Sequence, residues 1–558
     1  MASLPASRPS VGRLRREDAF FCARPLHFYG PSAEHQSVEK KPILEIVSYP
    51  AHSASEYHSD RGSSMKHVDL VVIGSGPAGQ KAAIQAAKLG KSVSLIERNR
   101  ILGGACTHTG TIPSKALREA VLHLSGIQQR GFYGDRDSRS GRPEITIEDL
   151  IARGQQVIHT EMEVIREHMV RNEVEILCGE ARFEDPHTLR ISHQHSSEVL
   201  QADYVVIATG TVPARPTGIP FDTERVLDSD NLLELTHLPK SMIIVGGGVI
   251  GTEYACMMAT LGVRVILTEA RMSLLDFVDS EISEALQYRM RAMGVTLRLG
   301  ERVDEIRVQP DGLVQATLQS GKHLRADTLL YCIGRQGTTE KLGLENVGLV
   351  PDNRGRLKVN ADYQTDVPHI YAVGDVIGFP ALASTSMEQG RRASCHMYGE
   401  PTTSLPELFP LGIYAIPEIS MVGRTEAQLT ADGIPYEAGV AQYREIARGQ
   451  LLGDEMGMLK LLIHEKTRQI LGVHAIGTGA TELIHIGQAV MAFKGTVDYF
   501  INNVFNYPTL AECYKVAALN GSNKLRMLWS GDEEGDTDSA DGRDLPASPD
   551  AAPLKIAA

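Results

Sequence analysis

Two glycine-rich segments and one cysteine hold the residues best suited to chemistry in this chain. Gly74-x-Gly76-x-x-Gly79 and Gly246-x-Gly248-x-x-Gly251 have the spacing that cradles a pyrophosphate. In each, the first glycine permits a tight turn and the second lets the backbone approach the phosphates. The third lets the following helix pack on its strand. That helix begins with unpaired N–H groups and partial positive charge, so Pro77 and Ala78, like Val249 and Ile250, join the candidate cofactor-binding residues. An acid follows each third glycine by 18 positions, Glu97 and Glu269, placed to accept from a ribose 2′-hydroxyl. Arg98 adjoins the first acid, and Arg271 follows the second by two, where it can meet a 2′-phosphate. Between the fingerprints lies Gly103-Gly104-Ala105-Cys106-Thr107-His108-Thr109-Gly110-Thr111-Ile112-Pro113-Ser114-Lys115, with a thiol at one end and a cation at the other.

The flanking pattern supplies the elements these residues need. His67 to Ile73 is an apolar strand, Gln80 to Leu89 a helix, and Ser92 to Ile96 a second strand ending at Glu97. Ser241 to Val245, the helix after Gly251, and Val263 to Leu267 repeat the unit. Three further apolar runs end where ligands of open parallel sheets bind: Tyr204 to Ala208-Thr209-Gly210, Leu329 to Gly334 with Arg335, and Ile370 to Gly374-Asp375. From about residue 406, Pro417 to Val422, Met458 to Ile463 and Gln469 to Ala475 alternate as antiparallel strands do, with helices from Ala480 and Thr509. The expected fold class is α/β: two Rossmann-like dinucleotide-binding domains plus a C-terminal α+β domain.

Composition excludes other classes. A net charge of −13 argues against nucleic acid as partner, and no run approaches the ~18 to 20 apolar residues of a membrane-spanning helix. The seven cysteines are scattered, without a Cys-x-x-Cys pair, as in a reducing intracellular compartment, and most read as small buried apolar residues. No metal site is expected. Residues 1–64 are aperiodic and open with Arg8, Arg13, Arg15 and Arg16 before Glu17, the first acid. A disordered extension, or translation starting at Met65, is preferred over an organelle transit peptide, so the expected location is cytoplasmic. The acidic tail, 527–558, reads as disordered.

The order of these motifs over about 65 to 526 resembles the flavoprotein disulfide reductases, the class I pyridine nucleotide-disulfide oxidoreductases. Gly103, Gly104 and Cys106 with Pro113-Ser114-Lys115 stand where that family carries its redox helix, and the Ala105 to Leu117 version is similar to that of its transhydrogenase branch. The resemblance implies an FAD domain in 65–212 and 338–405, an NAD(P) domain in 213–337, and a dimerisation domain in 406–526. It adds Ala105, Cys106, Thr107 and Gly110 to the cofactor-binding candidates, and implies that Lys115 lies near the flavin and pairs with Glu253. Thiol-reducing members carry a second cysteine where this chain has Thr111, and a histidine where it has Tyr507, although Glu512 remains.

Dithiol exchange needs a second thiol and a proton acceptor near neutral pH, and tyrosine, with a pKa near ~10, is a poor one. Both are missing. The expected function is therefore hydride transfer from NADPH to NAD⁺ through bound FAD, with NAD(H) and NADP(H) as substrates and a homodimer or larger homo-oligomer as the assembly. Lys115 and Glu253 would be catalytic, with Cys106 beside the flavin but in no redox disulfide. Alternatives are a disulfide reductase joining Cys106 to a distant thiol such as Cys513, a flavin oxidase, and a non-catalytic redox-sensing flavoprotein.

Overall fold

Apolar β-branched runs that glycine interrupts set the architecture, because such strands must be covered on both faces. The computed structural model describes residues 65–126, 145–402 and 408–530. The expectations for the amino-terminal extension fall outside these residues, as do nearly all of those for the acidic tail.

The first sheet has Lys66–Ile73 at its centre, parallel to Val93–Glu97 on one side and to Ser197–Ile207 on the other. Glu175–Cys178 extends it in parallel beyond Val93–Glu97, and Ile370–Ala372 pairs with the end of Ser197–Ile207. The beginning of that long strand instead carries an antiparallel meander, Thr188–Ser192 and Glu180–Asp185, which the sequence pattern did not reveal. Leu70, Val71 and Val72 are fully buried. At roughly 1.5–3 kcal/mol for each large aliphatic side chain, these strands contribute much of the sheet's stability.

Helix Pro77–Lys88 starts with proline, whose missing N–H costs nothing there. It crosses helix Ala383–Met397 at very close range, since a Cβ added to Gly390 would lie 2.0 Å from the Ala78 carbonyl oxygen. Ser394 Oγ donates to the Ala82 carbonyl at 2.8 Å across the same crossing. Small residues on both helices make the approach possible.

The second sheet is parallel throughout, in the order Thr296–Leu299, Arg264–Glu269, Ser241–Val245, Thr328–Tyr331, Val226–Leu227. An antiparallel sheet of Val303–Val308, Val314–Leu318 and His323–Ala326 covers it with apolar side chains. The run expected as one strand from Leu329 to Gly334 divides here. It leaves the sheet after Tyr331, and Arg335–Gly337 pairs antiparallel with Thr211–Pro213.

The C-terminal sheet is antiparallel, in the order Leu411–Ile413, Ile419–Gly423, Ile470–Ile476, Met458–His464, Tyr436–Gln442. Helix Ala480–Ala492 covers it, and helix Glu512–Ser530 packs where Gly439 and Gly521 let the backbones meet. Among the described residues no helix is long and apolar enough to cross a membrane.

Candidate active site

The first fingerprint becomes a cradle because its glycines leave no room for side chains on one side and leave the other side open. Gly74 has φ +106°, and a Cβ there would lie 2.4 Å from the Ala208 carbonyl oxygen, so the turn closes onto Ala208-Thr209-Gly210. A Cβ on Gly104 would sit 3.0 Å from Gly76 Cα, and one on Gly374 would sit 3.0 Å from Ala78 Cβ. Gly79 packs against the Gly74 carbonyl, Gly103 over Thr107, and Gly110 against the Ala105 carbonyl. Asp375 Oδ2 accepts from Thr211 Oγ1 at 3.2 Å. These stretches thus share one rim.

Glu97 is buried, and its Oε2 accepts from the N–H and hydroxyl of Ser75 at 3.0 and 2.7 Å. Ser75 Oγ accepts in turn from Gly103 N–H at 3.0 Å. The acid therefore also braces the turn against the Gly103 segment, and Ser75, an unspecified position of the fingerprint, was not anticipated. Arg98 is exposed beside it. His108 Nε2–H donates to the Leu102 carbonyl at 2.7 Å, and burial lowers the pKa of this imidazole and keeps it neutral.

Three observations fit a dinucleotide phosphate here. Helix Pro77–Lys88 begins without a side-chain cap, nothing lies within 4 Å of where Gly76 would carry a Cβ, and Thr209 Oγ1 is buried without a hydrogen-bond partner. The N–H groups of the first turn are left for a ligand.

The second fingerprint repeats the design. Gly246 has φ +110° and closes onto the Cys332 carbonyl, while Gly251 packs on the Gly246 carbonyl. Helix Val249–Thr260, which opens with Val249 and Ile250, has no side-chain cap, and Gly248 faces open space. Glu269 Oε2 accepts from Gly247 N–H at 2.6 Å. Its carboxylate also takes the Arg271 guanidinium, Nε to Oε1 at 3.0 Å and Nη2 to Oε2 at 3.1 Å. The two residues singled out as alternative ribose contacts are thus bound to each other. Burial pushes the Glu269 carboxyl up, but the bonds from Arg271 and Gly247 outweigh it and hold the pKa below the usual range.

Gly334 accepts from Ala214 N–H, and Arg335 donates to the Thr211 hydroxyl and carbonyl, both at 2.8 Å. Because Thr211 also reaches Asp375, Arg335 ties the exit of the second parallel sheet to the rim of the first.

Between the two cradles stand the groups fit for catalysis. Lys115, on helix Thr111–Ser125, donates from Nζ to Glu253 Oε2 at 2.8 Å. The other Glu253 oxygen accepts from Tyr414 N–H at 2.8 Å, and the ring of Tyr414 lies 5.1 Å from Lys115 Nζ. Arg118 donates to the Ala415 carbonyl and stacks against the same ring. Tyr414 was not anticipated, since nothing local marks a residue 161 positions from Glu253 as its partner.

Cys106 is half-buried, and Thr111, which stands where a second thiol would, is exposed. Burial raises the Cys106 pKa, so the thiol keeps its proton at neutral pH. Among the described residues every cysteine is free. Cys256, Cys395 and Cys513 are buried, but Cys178 is exposed, contrary to the simplest reading of scattered cysteines. Cys513 is sealed in the C-terminal core with its thiol pushed up to about 12, and is no partner for exchange. Tyr507 is exposed, while Glu512 Oε2 is buried without a hydrogen-bond partner. No group of three or more His, Cys, Asp or Glu able to hold a metal occurs among the described residues.

Two dinucleotide cradles joined through an arginine, with a lysine–glutamate pair between them and an antiparallel α+β unit reaching in, define a two-dinucleotide oxidoreductase. Residues 68–390 match the pyridine nucleotide-disulphide oxidoreductases and residues 409–518 their dimerisation domain, and the chain belongs to this family. Membership implies FAD as cofactor and pyridine nucleotides as substrates.

A soluble pyridine nucleotide transhydrogenase of Mycobacterium tuberculosis (strain ATCC 25177 / H37Ra) is 56% identical over 466 residues, covering 83% of this chain and 99% of the relative. Another, from Photobacterium profundum, is 48% identical over 464 residues, covering 82% and 98%. Among solved structures, the HOCl-induced flavoprotein disulfide reductase RclA from Escherichia coli aligns with TM-score 0.73 at 28% identity, covering 81% of this chain and 99% of that one. LpdA from Mycobacterium tuberculosis aligns with TM-score 0.74 at 26% identity, covering 81% and 99%.

Proposed function

We propose that this chain is a soluble, FAD-dependent pyridine nucleotide transhydrogenase that moves hydride reversibly between NADPH and NAD⁺ without a redox disulfide. The observation that carries the reading is at Cys106: Thr111 stands where a second thiol would, and among the described residues every cysteine is free, so Cys106 has no thiol partner for a redox disulfide. Relatives covering most of the chain at 46 to 56% identity bear the transhydrogenase name.

FAD on the first cradle would supply a two-electron carrier that accepts hydride from one nicotinamide and returns it to another. The chain's own work is positioning. Gly74, Gly76 and Gly79 admit the pyrophosphate to the uncapped N-terminus of Pro77–Lys88, with Glu97 fixing the turn. Gly246, Gly248 and Gly251 do the same for the substrate nucleotide, and Arg335, Gly374 and Asp375 hold the two cradles in register. Lys115 places a positive charge between them, and Glu253, fixed by Tyr414 N–H, prevents it from swinging away. Such a reaction requires two rings at contact distance rather than proton transfer, in keeping with the exposed Tyr507 at the carboxy-terminal signature. The match at 409–518 supports a homodimer, and the relatives' names call them soluble, in keeping with a cytoplasmic location.

The test is electron counting under anaerobic conditions. The purified FAD-loaded protein should bleach with about one equivalent of NADPH per flavin, and Thr111→Cys should raise this to about two by restoring a dithiol pair. Wild-type protein should also reduce thio-NAD⁺ from NADPH without added thiols. Uptake of two equivalents by wild type, or no transfer to thio-NAD⁺, would overturn the reading in favour of another acceptor.

A further inference from the structure

A transhydrogenase must admit both a 2′-hydroxyl and a 2′-phosphate at one ribose pocket, and the groups at the end of Arg264–Glu269 bear on how. Arg271 is the cation placed to meet a 2′-phosphate, yet its guanidinium is already committed. Nε and Nη2 bond Glu269, and Nη1 donates to Asp276 Oδ1 at 2.5 Å. Asp276 lies outside the fingerprint and its following acid. It reaches Arg271 because Leu275, fully buried and at φ +50°, turns the chain back, and because Leu275 N–H donates to the Gly247 carbonyl. The loop that carries Asp276 is therefore anchored to the second cradle itself.

We infer that Asp276 is a specificity-determining positioning residue: it occupies the remaining end of the Arg271 guanidinium and adds a negative charge beside it, and so disfavours NADP(H) relative to NAD(H). The inference rests on the reading of the second fingerprint as the pyridine-nucleotide site. Its physical basis is charge. Glu269, Arg271 and Asp276 together carry one net negative charge, which repels a dianionic 2′-phosphate and leaves a neutral 2′-hydroxyl indifferent. Removing the Asp276 charge makes the group neutral and weakens the one hold on Nη1, leaving that end of the guanidinium available to the phosphate, while Glu269 still serves the hydroxyl. Arg271 and Asp276 are both near half-exposed, so the restraint is modest and weakens with salt.

The experiment uses the FAD-loaded full chain and two probes lacking nicotinamide, adenosine 2′,5′-bisphosphate and 5′-AMP, titrated calorimetrically. Asp276→Asn should tighten the bisphosphate roughly three- to fivefold, less so at high salt, and move 5′-AMP by less than about twofold. Adding Arg271→Ala should abolish the gain. Equal shifts for both probes, no shift for the bisphosphate, or a gain that survives Arg271→Ala would overturn the inference while leaving the site reading intact. Binding of neither probe to the wild-type chain would overturn both.

Discussion

Lys115 is the residue on which the proposed chemistry most depends, and its setting is unusual for a helix cation. One buried carboxylate, one backbone N–H behind that carboxylate and one aromatic face fix it. Lys115→Met should slow bleaching of the flavin by NADPH about tenfold or more in stopped-flow. A rate within about twofold of wild type would remove Lys115 from the mechanism. Glu253→Gln should produce part of the same loss, because an uncharged amide no longer opposes the ammonium. The Cys106 thiol, by contrast, is kept protonated by burial, so alkylating agents should modify it slowly at neutral pH and faster as pH rises through its raised pKa.

At the scale of elements, the crossing of Pro77–Lys88 with Ala383–Met397 matters most, because Ala78 on one helix also lines the cradle that Gly374 closes. Gly390→Ala would drive a methyl to within 2.0 Å of a backbone oxygen, which no rotamer relieves. Overpacking of this kind costs ~1–3 kcal/mol. The expected outcome is a lower unfolding midpoint together with a reduced ratio of flavin to protein absorbance after gel filtration. A full flavin complement with unchanged Tm would show that the helices can slide apart without disturbing the cradle. The crossing could be anticipated only in part, since the sequence marks both segments as helices and neither as the other's partner.

Across the whole molecule, a buried charge cluster joins the second parallel sheet's helices to the C-terminal sheet. Lys460, 1% exposed, bonds Asp279 and Glu281 at 2.9 Å and Glu426 at 2.6 Å. Burial alone would lower the ammonium pKa and raise that of Asp279, but the bonds to Glu426, Glu281 and Asp279 outweigh it at the lysine, and His474 and Lys460 outweigh it at Asp279. The sign follows from linkage: the pair's stabilisation is present above the ordinary carboxylate value of ~4 and below the ordinary lysine value of ~10, and is lost beyond the shifted folded values on either side. His474, fully buried beside them, donates from Nε2 to the Arg424 carbonyl and is held neutral by burial. Its unfolded form binds a proton below ~6.5, so acidification past that point favours unfolding. Lys460→Met should destabilise the chain by ~3 kcal/mol or more in urea, because it strands three carboxylates, one of them fully buried. His474→Asn should flatten the decline of stability between about pH 6.5 and 5.

What the amino-acid order determined by itself was local: strand, glycine turn and helix recur because φ above zero, close backbone approach and an apolar run are properties of a few adjacent residues. The two cradles, the acids 18 positions on and the missing second thiol were legible for that reason. Tertiary structure alone decided what each of these faces. Glu97 meets Ser75, Glu269 meets Arg271, Asp276 turns back to the same guanidinium, and Tyr414 arrives from the C-terminal unit to hold Glu253. Such pairings follow from sheet order and helix crossing rather than from spacing along the chain. The direction of a buried side chain is set by whatever the fold packs against it.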